Sequence, residues 1–228
     1  MDNNQNVARA AGLSKFYSKV YGYLGLGILL SAVTSYLVLN VFLVEVFSFL
    51  GANRFNFFLM WGAQIGLVIY LSKNAFSNSG KSLIGYIAYT ILTGITISVT
   101  LFMYSGAAVT MAFVTAAGTF IGMSLVGIFT KKDLSAMGHA MYSLLIGALI
   151  AIVLNVFILK SQPVDLMISL AMVVIFAGLT AYDNQKIKVL YQQKGEEGAS
   201  NLAIYCALTL YLDLVNLFLS LLRIFGRD

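Results

Sequence analysis

Residues 203–225 read AIYCALTLYLDLVNLFLSLLRIF. As a helix rising about 1.5 Å per residue, this run is about 35 Å long, enough to cross a hydrocarbon core of about 30 Å. Strands of a lipid-facing barrel would alternate in polarity over about ten residues, and no such alternation is present. A helix satisfies its own backbone in lipid, so the run reads as a membrane-spanning helix. Thr209, Asp213, Asn216, Ser220 and Arg223 follow one another at spacings of four, three, four and three, which puts them on one helical face. The remaining faces are almost wholly Leu, Phe, Ile, Val and Ala. One polar stripe in an apolar jacket suits a helix at the centre of a bundle.

Six further apolar runs precede it, over about 21–44, 55–72, 83–104, 107–129 and 140–159, and from Pro163 to at least Tyr182. The fold class predicted is an all-α integral membrane protein with seven transmembrane helices. It forms a single domain over residues 1–228, with a polar tail (1–19) and a helix bundle (20–226). The composition agrees: 60% of residues are apolar and 10% charged, whereas soluble domains average about 45–50% and about 25%. The first run is longer than the apolar core of a signal peptide and lacks a small-residue cleavage site, so it is read as a retained span. No extramembrane segment has the length of a domain. The longest, about 184–201, contains Lys194-Gly195-Glu196-Glu197-Gly198, which reads as a solvated turn, although 183–193 contains no helix breaker and can extend the sixth helix.

The net charge of +5 reads as topology and contact with anionic lipid; no nucleic-acid motif accompanies it. Arg9, Lys15, Lys19, Lys73, Lys81, Lys131, Lys132, Lys186, Lys188 and Lys194 fall on one side, ten basic residues against Arg54, Lys160, Arg223 and Arg227 on the other. That bias predicts a cytoplasmic N-terminus. If the seventh run does not cross fully, Arg223 and Arg227 return to the inner side and the bias grows.

Ionisable residues inside a span are costly and are default functional candidates. Asp213 is the clearest and Asp183 the second. If the sixth helix reaches about Gln192 and the seventh starts near Ser200, the two acids differ in depth by only about 6 Å. Antiparallel neighbours then bring the carboxyls together. Two carboxylates in a low-dielectric site cannot both ionise cheaply, so they tend to share one proton. The shared-proton contact holds at lower pH and is lost as pH rises, after which the helices separate or a cation is drawn in. The alternative leaves Asp183 at the interface and Asp213 hydrogen-bonded to Asn or Thr.

Other polar residues read as structural. Pro163 and Asp165 suit the first turn of the sixth helix. His139, the sole histidine, sits at a span boundary and cannot build a zinc site alone. Thr130-Lys131-Lys132-Asp133 resembles a capping box. Gly118 and Gly122 permit close helix contact. Glu45 and Arg54 flank an outer loop, Trp61 suits interfacial anchoring, and Cys206 lies within an apolar run. No hydrolase constellation or phosphate-binding loop is visible, so no enzymatic activity and no cofactor are expected.

Several segments together resemble the Bax-inhibitor (TMBIM) family in its bacterial branch, over about residues 20–226. They are Thr93-Gly94-Ile95-Thr96, Thr130-Lys131-Lys132-Asp133-Leu134-Ser135, Tyr182-Asp183-Asn184-Gln185-Lys186-Ile187 and Tyr211-Leu212-Asp213-Leu214-Val215-Asn216-Leu217-Phe218. The resemblance implies a seven-helix bundle whose last helix is enclosed by the other six, in a bacterial cell membrane. It implies a pH-sensitive calcium leak whose sensor aspartates match Asp183 and Asp213, which are then also the candidate calcium ligands. The family's leak members carry a Glu near Gln64 and a latching Arg near Lys73. Gln64 brings no charge, so cation attraction is weaker, and Lys73 is a point charge without the planar fork of Arg. Some bacterial relatives are thought to restrain an ATP-dependent membrane protease, which gives a second expectation: a non-conducting regulator acting through its N-tail and exposed helix faces.

Overall fold

The structure is a computed structural model. It describes the backbone of residues 2–74 and 79–227 and the side chains of 11–53, 55–56, 58–74, 80–194 and 202–227. The described residues form α1 (Asp2–Asn40), α2 (Leu43–Ala52), α3 (Arg54–Lys73), α4 (Ser79–Leu101), α5 (Gly106–Phe129), α6 (Ser135–Leu154), a π-helical turn (Asn155–Leu159) and α7 (Gln162–Phe225). Among the described residues, six stretches are long and apolar enough to cross a membrane: Ala11–Asn40, Gly80–Leu101, Gly106–Phe129, Ser135–Leu159, Gln162–Lys194 and Leu202–Phe225. The remaining expected span lies in α3, whose apolar stretch Phe58–Lys73 is shorter than these six.

Three boundaries differ from the sequence reading. The polar tail is not separate from the first span, because α1 is helical from Asp2. Val7-Ala8-Arg9-Ala10-Ala11 is rich in good helix formers, so the helix has no reason to stop there. The stretch flanked by Glu45 and Arg54 is the short helix α2 rather than an open loop. The long connection 184–201 is helical throughout, as part of α7. A straight 64-residue helix would be about 96 Å long. Yet Asp165 forms an ion pair with Arg227 at 2.7 Å, and Asp183 lies close enough to Asp213 to act on it. The chain must therefore double back inside α7. The midpoints of both pairs fall at about residues 196–198, within the stretch read as a turn. Residues 162–189 and 209–227 are thus two antiparallel arms.

The chain divides into two compact units. The first comprises residues 1–103 and 190–208, where α1 packs chiefly against α4. Ser31 donates to the Thr90 carbonyl at 2.8 Å and Tyr86 to the Tyr23 carbonyl at 3.0 Å. Gly94 lies so close to the Ser31 backbone that a Cβ there would collide with it. The second unit comprises residues 104–189 and 209–228, and it holds both arms of α7 with α5 and α6. Here the close approaches are Gly127 against the Ala181 carbonyl and Gly138 against the Tyr182 ring. Gly118 and Gly122, read as contact glycines, are exposed with nothing within 4 Å of a built Cβ. The helix face that packs carries Ala112, Ala116, Phe120, Ser124 and Gly127 instead.

Ser105 caps α5 by accepting from Ala108, which makes the expected tight turn. The capping box at 130–133 does not form. Thr130 ends α5 and its hydroxyl accepts from Lys132 at 3.3 Å. Asp133 accepts from Ser135 at 2.9 Å, two residues on, ahead of α6. These hydrogen bonds from Ser135 hold the Asp133 carboxyl below its ordinary value.

Candidate functional site

The first arm of α7 brings Thr180, Asp183 and Asn184 to one buried face. Thr180 satisfies itself on the Phe176 carbonyl at 2.7 Å, as hydroxyls in apolar helices do. Asn184 donates to the Thr180 carbonyl at 2.8 Å and to the Ser124 hydroxyl of α5 at 3.1 Å. The helix is held close enough for that bond because Gly127, one turn further along α5, has no side chain to hold Ala181 away. Asp183 is 3% exposed, so its carboxyl is buried within the protein.

The second arm places Asp213, also 3% exposed, beside Asp183, close enough for the two carboxyls to act on each other. Two carboxyls so placed can hydrogen-bond to each other only when one of them carries a proton. Tyr142 of α6 approaches Asp183 through its hydroxyl, at 3.4 and 3.5 Å from the two oxygens. Lys186, one turn along the same arm, acts on Asp183 through its charge and lies 5.6 Å from the centre of the Tyr182 ring. The outer oxygen of Asp213, Oδ2, is buried without a hydrogen-bond partner. An unsatisfied buried carboxyl oxygen is costly when charged, so the arrangement suits a pair that holds one proton between two acids.

Calcium takes about six to eight oxygen ligands. The pair offers two carboxyls and one distant hydroxyl, and among the described residues no group of three or more His, Cys, Asp or Glu could hold a metal. The donor set therefore fits a proton better than a resident calcium ion.

The rest of the predicted set is dispersed. Thr209 is half-buried. Asn216 donates to the Leu212 carbonyl at 2.7 Å and Ser220 to the Asn216 carbonyl at 2.7 Å, so both spend a donor on their own helix. Arg223 is exposed. Gln64 hydrogen-bonds the Thr96 hydroxyl within the first unit, and Lys73 is exposed in the last turn of α3.

Three contributors were not read from sequence. Gln185 accepts from the Leu134 N–H and donates to the Lys132 carbonyl, both at 2.8 Å, and so pins the α5–α6 connection to the arm that carries Asp183. Its signal was present, since it stands two residues from Asp183. Tyr142 lies 41 residues from Asp183 and nothing in the sequence marks it. Arg227 donates to Asp165 and to the Gln162 carbonyl, at 2.7 and 3.0 Å, closing the open ends of the two arms.

Comparison with known proteins shows the family. The family described as "Inhibitor of apoptosis-promoting Bax1" matches residues 13–228. The uncharacterized protein YrjE of Lactococcus lactis is 42% identical over 227 residues, covering 98% of this chain and 97% of that one. The inner membrane protein YbhL of Escherichia coli is 40% identical over 225 residues, covering 97% and 95%. An uncharacterized protein of Borreliella burgdorferi is 37% identical over 219 residues, covering 94% and 92%.

Proposed function

This chain belongs to the Bax inhibitor family of membrane proteins, and from that membership we propose that it is a pH-sensitive cation leak with calcium as the permeant ion. The gate is the pair Asp183 and Asp213. The observation that carries this reading is the meeting of two buried acids on antiparallel arms, each within a stretch of membrane-spanning length. Proton loss leaves two adjoining anions in a low-dielectric site, which repel or attract a cation. Calcium is cargo that passes the pair, in keeping with its sparse donor set. Gln64, without charge, adds no further attraction along the way. The protein performs no covalent chemistry in this reading.

We read α3 as the seventh span. Its 20 residues rise about 30 Å, the thickness of the hydrocarbon core. The last helix is read as the enclosed one, since 56% of its apolar window is buried against 6% for Ser135–Leu159. The bias of basic residues supports a cytoplasmic N-terminus. Calcium flux into liposomes across about pH 6 to 8, with Asp213→Asn beside wild type, tests the proposal.

The low burial of α6 favours a second reading. Leu144, Ile146, Leu149 and Ile150 are all at least half exposed, a face open to lipid or to another membrane protein. Under this reading the chain is a non-conducting regulator that restrains a partner such as an ATP-dependent membrane protease. Deleting residues 1–15 separates the two: flux survives under the first, and regulation fails under the second.

A further inference from the structure

The two hydrogen bonds of Gln185, to the Lys132 carbonyl and the Leu134 N–H, bring two pairs of lysines together. Lys131 and Lys132 of the α5–α6 connection lie beside the turn of α7 that carries Lys186 and Lys188. Lys131, Lys132 and Lys188 are exposed and Lys186 is half-buried. Among the described residues none of the four forms an ion pair. Lys186 rests 5.6 Å from the centre of the Tyr182 ring and acts on Asp183 through its charge. Asp133, the one acid of the connection, accepts from the Ser135 N–H at 2.9 Å. Glu196, the next acid along α7 after Asp183, stands eight residues beyond Lys188. That is about 12 Å of helix rise, more than the Debye length of about 8 Å at physiological salt. Hydrocarbon adjoins the charge. Phe129, the last residue of α5, is 74% exposed, and Leu125 and Val126, one turn earlier on the same face, are about half exposed.

We propose that Lys131, Lys132, Lys186 and Lys188 bind the phosphate of an anionic phospholipid, whose acyl chains lie on the Leu125, Val126 and Phe129 face of α5. The net charge of +5 draws anionic lipid to any basic loop. This site differs because two elements supply it and Gln185 holds them together. Four ammonium groups attract a headgroup of net negative charge, whereas a zwitterionic headgroup carries an ammonium of its own and gains less. The adjoining hydrocarbon selects a lipid over a soluble anion. The inference rests neither on the aspartate pair nor on ion conduction.

The test is native mass spectrometry of the full chain released from mixed micelles holding equal amounts of phosphatidylglycerol and phosphatidylcholine with the same acyl chains. Wild type is expected to retain phosphatidylglycerol in preference. One lysine near an anionic surface contributes about fivefold in affinity. Lys131→Gln with Lys132→Gln, and separately Lys186→Gln with Lys188→Gln, are each expected to lower the preference about fivefold or more. The matching arginine pairs keep the charge and are expected to retain it. Lys160→Gln, exposed at the other end of the span that α6 begins, is expected to change the preference by less than about twofold. All variants are first checked for wild-type helicity and monodisperse elution. No preference in wild type, a loss confined to one lysine pair, or an equal loss in Lys160→Gln overturns the inference, the last by showing diffuse attraction only. Removal of the preference by inorganic phosphate, but not by chloride at the same ionic strength, also overturns it, since the surface then takes a soluble anion.

Discussion

Asp183 and Asp213 stand thirty residues apart in the chain, yet their buried side chains lie together. A reversal of the chain between the two arms makes that contact possible, and Arg227 on Asp165 closes the opposite end of the same hairpin. The acids therefore sit between two closures, and separating them requires the arms to part in the middle or at the Arg227 end.

The Arg227 closure is a modest one. Its two side chains are 29% and 43% exposed, so solvent screening limits the pair to about 0–1 kcal/mol. Asp165→Asn is expected to lower the thermal midpoint slightly at low salt, with the difference vanishing at about 1 M salt, where the Debye length falls to about 3 Å. A loss that persists at high salt would contradict a screened surface pair.

Packing of the arm that carries Asp183 depends on Gly127. Gly127→Ala drives a Cβ into the Ala181 carbonyl and is expected to cost about 1–3 kcal/mol, as overpacking does. Gly118→Ala and Gly122→Ala meet nothing within 4 Å and are expected to be neutral or to stabilise by up to about 1 kcal/mol. Thermal unfolding in detergent ranks the three, and the reverse order would refute the assignment of the packed face.

Gln185→Ala removes two hydrogen bonds and leaves the Leu134 N–H and the Lys132 carbonyl without that partner. The expected loss is about 1–2 kcal/mol, at the scale of one to two net hydrogen bonds. Faster amide hydrogen exchange at Leu134 is the direct readout. Unchanged exchange there would show that the side-chain bridge does not hold the α5–α6 connection.

Asp133 supplies a pH-dependent cap. Its carboxyl lies below the ordinary value because Ser135 donates to it, so its contribution is present above the unfolded value of about 3.9. The contribution is lost as pH falls through the lower folded value. Asp133→Asn keeps an acceptor but does not titrate, so the stability gap between wild type and variant is expected to change on acidification. A gap constant from about pH 3 to 6 would argue against this cap.

Much of the fold was legible because lipid allows few choices. Apolar length fixed the spans at 203–225 and 107–129 to within a few residues, and Ser105 and Pro163 marked helix starts as read. Asp183 and Asp213 stood out because acids are rare in apolar helices, and counting residues from a presumed turn placed them at similar depth. Local polarity misled in the N-tail, whose polar residues are helical, since a helix needs suitable residues and not lipid to continue; the expected extension of the sixth helix over 183–193 is present in α7. Gly118 and Gly122 misled because spacing alone does not say which helix face packs. Tyr142 and Arg227 were invisible, since each acts on a residue more than 40 positions away.

Calcium flux into liposomes from about pH 6 to 8, wild type beside Asp213→Asn, tests the central claim most directly. One proton titrating over two pH units changes the gate population by up to about a hundredfold. Wild-type flux is therefore expected to vary by about tenfold or more across the range. Asp213→Asn, whose amide cannot share that proton, is expected to vary by less than about twofold. Absence of flux at every pH from folded, inserted protein, or an unchanged pH profile in Asp213→Asn, would contradict the account.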